Sequence, residues 1–451
     1  MIDTNSEPEI SVGLITGVES AKVTLSGIFS SAGLQGLTGN LSFVASQNGG
    51  ISVQGASEFQ APEVILAPSD FERCRITLHD VTIGVGFHWE RKEEQIFQGS
   101  LRIIAGEKGL NIINLVPLEA YLVSVISSEM SAANHSELLK AHAIVSRSWL
   151  LAQLIGGDKR SGTEEQYSKA YDNTLEINRW YSRENHSDFD VCADDHCQRY
   201  QGISKAFSAS ASEAVVPTRG IVAEYLDQIC DARYSKCCGG LTERYSAAWE
   251  NKPAPYLTSI YDGADSPGGY ELPLRDEKES ARWITSLPRA YCNDPPPYLL
   301  ERILPGFDLE TRDSYRWVVS YSSDELREII FSKLGEDPGI ILAIEPLERG
   351  ASGRLIRVKI SGQKRTLIVG KELEIRRALS RSHLYSSAFV VSHEESQHTG
   401  YPERFIFKGA GWGHGVGLCQ IGAAVMADAG QSHERIVEHY FRGAKLKRLY
   451  D

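Results

Sequence analysis

Glu129 is the residue in this sequence whose setting best suits acid and base chemistry. Leu118, Tyr121, Leu122, Val125 and Ile126 recur at spacings of three and four, the signature of an apolar helix face. Glu129 lies four residues after Val125 and three after Ile126, on that same face, where the helix should end. A carboxylate there is costly to ionise, so its pKa is expected to rise, which suits a general acid at a glycosidic oxygen. The competing reading is a glutamate that closes a helix and points to water. A second cluster, His186, Cys192, His196 and Cys197, has the spacing H-x5-C-x3-H-C. Two thiolates and two imidazoles make a tetrahedral zinc set, and four protein ligands would make the metal structural rather than hydrolytic. A Cys192–Cys197 disulfide in an exported protein, or free cysteines beside surface histidines, are the alternatives.

Two further segments attract attention. GAGWGHGVGLCQIGA, residues 409–423, alternates glycines that let the backbone approach a ligand or another chain closely. Its polar groups are His414 and Gln420, and the pattern suggests a binding cleft, with a tight structural turn as the alternative. No GK[ST] follows, so it is not a phosphate loop. YSKCCGGLTE, residues 234–243, carries a Gly239–Gly240 turn and two adjacent cysteines. Cys237 and Cys238 could pair with Cys230 or Cys292, or stay buried and reduced; a vicinal bridge would be strained.

These residues need elements to position them. Residues 1–115 read as β-rich, with β-branched and polar residues mixed at 10–15, 75–87 and 101–104, and glycine-rich turns such as 47–55. Pro117 suits the first turn of the Glu129 helix. A second helix is expected over residues 136–154, capped by Ser136 and ended by Gly156–Gly157. Residues 158–200 read as polar loops with a short helix, and 206–225 as a small-residue helix followed by a strand. Strands are expected at 317–321, 355–360 and 388–391, with a capped helix over Ser323–Leu334. Pro295, Pro296 and Pro297 break regular structure, and residues 421–441 read as helix interrupted by Gly430. The fold class is therefore α+β: mixed sheets and a β-rich N-terminal part around a central catalytic helix. The expected division is 1–115 (β-rich), 116–241 (catalytic core with the zinc site), 242–400 (β-rich) and 401–451 (the glycine-rich segment completing the cleft).

Composition limits the functions available. The chain has 451 residues, too many for one simple core, so it forms an elaborated core or two to three domains. Its net charge of −12 and lack of a long basic run exclude nucleic-acid binding as a main role. No apolar stretch is long enough for a membrane span. MIDTNSEPEISVGLITG lacks the basic start and apolar run of a signal peptide. Eight cysteines are too few for a disulfide scaffold at this length.

Three segments together resemble the stage II sporulation protein D (SpoIID/LytB-like) family. LEAYLVSVISSEMSAANHSELLKAHAIVSRSWL, residues 118–150, resembles the family's catalytic region, in which the glutamate of the Glu-Met pair does the chemistry; that position is Glu129. HCQRYQG, residues 196–202, resembles its HCQ-x-Y-x-G motif, and residues 409–423 resemble its G-x-GHGVG-x-x-Q-x-GA signature. Residues 218–220, 234–242 and 352–354 also fit, so the resemblance runs from about residue 10 to the end. Two departures stand out: Leu418–Cys419 where the family usually has Met-Ser, and Ser131 where it often has Pro.

The resemblance implies a peptidoglycan lytic transglycosylase acting on glycan strands stripped of stem peptides, with zinc at the His/Cys cluster. An ordinary glycosidase needs two carboxylates. Asp194 and Asp195 look exposed, and no second carboxylate shares the setting of Glu129. A lytic transglycosylase needs one group, since the muramic acid's own C6 hydroxyl attacks the anomeric carbon and leaves a 1,6-anhydro end. Gln198, Tyr200, His414 and Gln420 would position the sugar. The location implied is the cell envelope, periplasmic or extracellular, given a removed signal peptide or anchor. Two rivals remain: a non-catalytic, glycan-binding modulator of other cell-wall hydrolases such as amidases, and a zinc hydrolase using His186, His196 and a cysteine.

Overall fold

The computed structural model describes the chain apart from residues 1–5, 32, 47–49, 56–57, 84–90, 131–132, 157–166, 182–185, 195, 205–208, 294 and 304–313. Asp195, Ser131 and Gly157 lie outside the described residues. The fold is α+β, and the chain divides into two compact units. The first comprises Met1–Ile155, Arg183–Val222 and Lys447–Asp451; the second comprises Gly156–Ser182 and Ala223–Leu446.

Ten strands open the first unit: β1 (Glu9–Val18), β2 (Ser20–Ser31), β3 (Leu34–Ala45), β4 (Ile51–Gly55), β5 (Phe59–Ala61), β6 (Glu63–Pro68), β7 (Arg75–Ile83), β8 (Arg91–Phe97), β9 (Ser100–Gly106) and β10 (Gly109–Pro117). They pair antiparallel in the order β1-β10-β9-β6-β2-β3-β4-β5, with β7 joined to β2 and β8. Alternation drives this. Along β2, Val23 and Leu25 are buried while Lys22 and Ser26 are exposed, and Leu41, Phe43, Ile76 and Leu78 meet them from β3 and β7. A two-residue strand, Val191–Cys192, adds in parallel to the free edge of β1.

β10 runs straight into helix α1 (Leu118–Glu129), with Pro117 as the residue before its first turn. Pro117 has no side chain to cap that end, and the orphan amides are met from elsewhere. Pro8 carbonyl accepts from Leu118 N–H at 3.0 Å, and the Glu7 carboxylate accepts from Glu119 N–H at 2.8 Å. Helix α2 (Ser136–Ile155) packs against α1. Ser136 is its first helical residue rather than its cap, and the His135 ring instead accepts from Glu137 N–H at 3.2 Å. A buried ion pair ties the two helices: Arg147 Nε donates to Glu119 Oε1 at 2.9 Å, and Tyr450 and Gly220 donate to the same oxygen. A third, short helix, α3 (Ser210–Val215), completes this cluster.

The second unit has a five-stranded sheet ordered Tyr167–Tyr171, Thr174–Asn178, Thr366–Gly370, Leu355–Gly362, Ile341–Arg349. The first two strands form a hairpin, where the sequence had suggested loops with a short helix. A three-stranded sheet sets Pro402–Ala410 between Arg316–Ser322 and Phe389–Glu395. The helix Ser323–Leu334 has Ser322 accepting from Glu325 N–H and ends at Gly335 in the left-handed region. It buries Leu326 and Ile330 among Val358, Ile360, Phe405 and Phe407. Among the described residues, no helix is long and apolar enough to cross a membrane.

Candidate functional site

Glu129 is the last residue of α1, a helix whose Tyr121, Leu122, Val125 and Ile126 are fully buried. Its own side chain is half-buried, so the carboxylate stands at the edge of the core. Arg199 N–H donates to its Oε1 at 3.0 Å, which fixes the carboxylate against residues 196–202. One turn earlier, Ser124 Oγ accepts from Gln201 N–H at 3.1 Å, so the loop is stitched along α1 at two points.

Gln198 and Tyr200, expected to hold sugar, are interior: 1% and 2% exposed. Gln198 accepts from Tyr121 O–H at 3.1 Å and donates to Ser146 carbonyl at 3.5 Å. Tyr200 donates to Asn114 Oδ1 and stacks between Tyr121 and Phe97, with ring centroids 5.2 and 5.8 Å away. Burial pushes both phenols above their ordinary range, so both remain donors. These two residues thus anchor the loop that presents Arg199 N–H to Glu129. Gly202 belongs to the same support: it has φ +59°, and a Cβ there would lie 2.2 Å from Ile96 carbonyl oxygen.

Upstream, the loop carries His186, Cys192, His196 and Cys197, whose ligand atoms all lie within 4.8 Å of one another. His186 Nε2 is 3.1 Å from His196 Nδ1 and 3.5 Å from Cys197 Sγ; Cys192 Sγ is 3.9 Å from His196 Nδ1. Ligands held at about 2.0–2.3 Å around a tetrahedral zinc stand roughly 3.3–3.8 Å apart, so the set fits that ion. The Cys192 thiol is lowered to about 2, first by its contact with Cys197 and then by both histidines, against burial. None of the eight cysteines is in a disulfide, so the alternative Cys192–Cys197 bridge is not formed. The cluster sits on the β1 edge. Cys192 pairs with Gly13, and Asp190 Oδ2 accepts from both Ser11 N–H and Ser11 O–H. Gly13 leaves room for the Phe189 ring, which lies 4.7 Å from the His186 ring.

The glycine-rich segment belongs to the second unit, and its reason for glycine is specific. Gly415 has φ +72°, and a Cβ there would meet the Arg354 guanidinium at 2.3 Å. Arg354 is 1% exposed and donates to the carbonyls of Gly413 and Cys238 and to Ser352 Oγ. Glu243, 0% exposed, accepts from Ala351 N–H, Ser352 N–H and Ser352 O–H at 2.7–2.9 Å, while its own N–H donates to Gly415 carbonyl. The segments 234–243, 352–354 and 409–423, separate in sequence, therefore form one knot. His414 projects from it half-buried, edge-on to the Trp249 ring at 4.8 Å. Its Nδ1 accepts from Val416 N–H at 3.0 Å, which leaves the proton of the neutral ring on Nε2. Burial, then Arg233, Arg354 and Arg376, hold its pKa well below the usual value. Gln420 is buried at the start of the helix Gln420–Asp428.

Sequence reasoning overlooked Glu119, Arg147 and Asn114, polar residues whose partners lie 28 to 331 positions away. It also overlooked Asp262, discussed below. A charged pair in two adjacent apolar helices was the available signal for Glu119 and Arg147.

A family model described as Stage II sporulation protein (SpoIID) matches residues 106–225, which include α1, α2 and the whole His/Cys loop. A second, described as a domain of unknown function (DUF8618), matches residues 243–417. The chain is 23% identical over 331 residues to the amidase enhancer of Bacillus subtilis (strain 168), covering 72% of this chain and 40% of that protein. It thus spans less than half of that relative's length. It is 25% identical over 340 residues to the stage II sporulation protein D of Bacillus amyloliquefaciens, covering 73% of this chain and 74% of the other. The protein of the same name from Bacillus subtilis (strain 168) is 22% identical over 333 residues, with 73% and 74% covered.

Proposed function

Since the chain carries a SpoIID-family domain around Glu129, we propose that it acts on the bacterial cell wall as a peptidoglycan lytic transglycosylase. The observation that carries this reading is the Glu129 carboxylate at the end of a buried helix, oriented by Arg199 N–H at 3.0 Å. Protonated, Glu129 gives its proton to the oxygen between muramic acid and glucosamine as the C1–O bond breaks. As carboxylate, it takes the proton of the muramic C6 hydroxyl while that oxygen bonds to C1. The proton returns to its origin, no water is consumed, and the product carries a 1,6-anhydro end. Several of the described carboxylates have other tasks. Asp190 holds Ser11, Asp188 accepts from Asn111, and Glu119 pairs with Arg147. That favours a one-carboxylate route over the two-carboxylate arrangement of hydrolases.

His186, Cys192, His196 and Cys197 would hold a zinc ion that ties the loop together, and a complete set of protein ligands leaves no position for a reacting water. His414, whose ring is held by Val416 N–H and by the Tyr234 backbone, would help to position the sugar. The substrate would be denuded glycan strands in the envelope or outside the cell. The test is digestion of such strands by the protein and by Glu129→Gln, followed by mass spectrometry. Anhydro-muramic ends from the wild type alone support the proposal; equal release by Glu129→Gln overturns it.

The similarity to an amidase enhancer favours a second reading, a non-catalytic protein that binds glycan and stimulates a cell-wall amidase. That reading predicts glycan binding and amidase stimulation that survive Glu129→Gln, with no anhydro product.

A further inference from the structure

We propose that the second unit holds its own structural zinc ion, bound by Cys238, Asp262, Cys292 and Cys419. The four ligand atoms lie within 4.8 Å of one another, and all four residues are at most 2% exposed. Cys238 Sγ is 3.6 Å from Cys292 Sγ and 3.1 Å from Asp262 Oδ2. Sulfurs about 2.3 Å from a tetrahedral zinc stand roughly 3.8 Å apart, close to the first distance, and a carboxylate oxygen comes in somewhat nearer. The donor chemistry agrees. Three thiolates select a soft or borderline ion, and zinc accepts a carboxylate as its fourth ligand without a geometric penalty.

The groups around the four donors are arranged as they are around a ligated metal. Asp262 Oδ1 is bonded by Tyr440 O–H at 2.8 Å and by His439 Nε2 at 3.3 Å, which turns Oδ2 toward the sulfurs. Cys419 Sγ accepts from Cys238 N–H at 3.2 Å and Gly422 N–H at 3.4 Å, and Cys238 Sγ accepts from Gly240 N–H at 3.4 Å. Such N–H donors offset the negative charge of bound thiolates. Gly422 is part of the same fit, since a Cβ there would lie 2.4 Å from Asp262 Oδ2 and 2.5 Å from Tyr440 Oη.

The alternatives are weaker. Four thiols, Cys237 in contact with Cys292 and Cys419 among them, and a carboxyl packed together dry gain little from apolar contact, and Asp262 would be a costly burial with only the His439 ring and the Tyr440 hydroxyl on its Oδ1. The four ligands come from segments spread over residues 238–419. A metal there would fasten the Gly239–Gly240 turn, the 292 region and the end of the glycine-rich loop together, and would set the position of that loop's His414.

The experiment is metal analysis of the full-length purified protein, alongside His186→Ala/His196→Ala and Cys292→Ser. The expected result is about two zinc per chain in the wild type and about one in either variant. Cobalt substituted into the His186→Ala/His196→Ala protein should show strong thiolate-to-metal charge-transfer absorption. The proposal is overturned if Cys292→Ser keeps the full wild-type content, or if non-reduced peptide mapping finds a Cys238–Cys292 or Cys292–Cys419 disulfide. Should Cys292→Ser fail to fold, the wild-type count and the cobalt spectrum decide. Loss of all zinc from a folded His186→Ala/His196→Ala protein also overturns it. A wild type with one zinc that Cys292→Ser removes keeps this site and discards the His/Cys one.

Discussion

At the scale of single residues, the account depends on how a few polar groups are held. Glu129→Gln keeps the shape of the side chain and its contact with Arg199 N–H but cannot deliver or take a proton. Transglycosylase turnover should fall by about a hundredfold to ten-thousandfold or more, with the melting temperature nearly unchanged. A collapse of stability in that variant would mean the residue is structural. His414 gives a pH prediction. Its pKa is held well below the ordinary histidine value of about 6.5, so on acidification the unfolded chain takes up this proton before the folded one does. The contribution is therefore complete near pH 7 and above and declines as the pH falls below about 6.5. Denaturant titrations at a series of pH values should show that decline in the wild type and less of it in His414→Gln; identical slopes would contradict the assignment. Residue roles were legible only where local pattern carries them. The place of Glu129 at the end of α1 was readable because that helix has a clear apolar face, whereas its proposed role came from the family resemblance of residues 118–150, 196–202 and 409–423. Gln198 and Tyr200 looked like substrate ligands because nothing near them in sequence reveals that Ser146, Tyr121 and Asn114 already meet their polar atoms.

At the scale of elements, α1 is positioned by an ion pair and a loop. Arg147 is 0% exposed, so removing it leaves the Glu119 charge buried. Arg147→Met should cost roughly 3–5 kcal/mol, and Arg147→Met with Glu119→Leu markedly less, by equilibrium unfolding. Equal losses would show that the pair is not the cause. Gly202→Ala should destabilise by more than about 1 kcal/mol, because it adds strain at positive φ and a clash with the Ile96 carbonyl. A neutral result would mean the loop can move away from β8. Chelation should raise hydrogen exchange in residues 186–202 before it does so in β2 and β3, since the His/Cys loop is joined to the sheet at the β1 edge. Most elements were readable: α1, the helix Ser323–Leu334 and the alternating strands follow local periodicity and capping. The helix Ser136–Ile155 starts where the sequence placed it, but its cap was misassigned: the His135 ring, not the serine, accepts from Glu137 N–H. The hairpin at 167–178 was hidden by exposed polar residues that match neither period well.

At the scale of the whole molecule, the chain joins a β-rich unit carrying Glu129 to a second unit built around the glycine-rich knot. The sequence suggested a binding cleft at residues 409–423 with a tight structural turn as the alternative, and the reason for its glycines lies in long-range partners that the sequence does not show. Arg354 fills the space that Gly415 leaves, and Glu243 latches onto residues 351–352. The Cys238, Asp262, Cys292 and Cys419 cluster had no spacing signature at all, as its members lie up to 181 positions apart. Only the fold assembles it. With both metal sites, five of the eight cysteines would be ligands rather than free thiols.

The central claim is that a single carboxylate cleaves glycan without water. The most direct measurement is digestion of denuded glycan strands in heavy-oxygen water, with mass spectrometry of the new ends. The account predicts 1,6-anhydro-muramic ends that carry no label. Reducing ends that carry the heavy oxygen would contradict it.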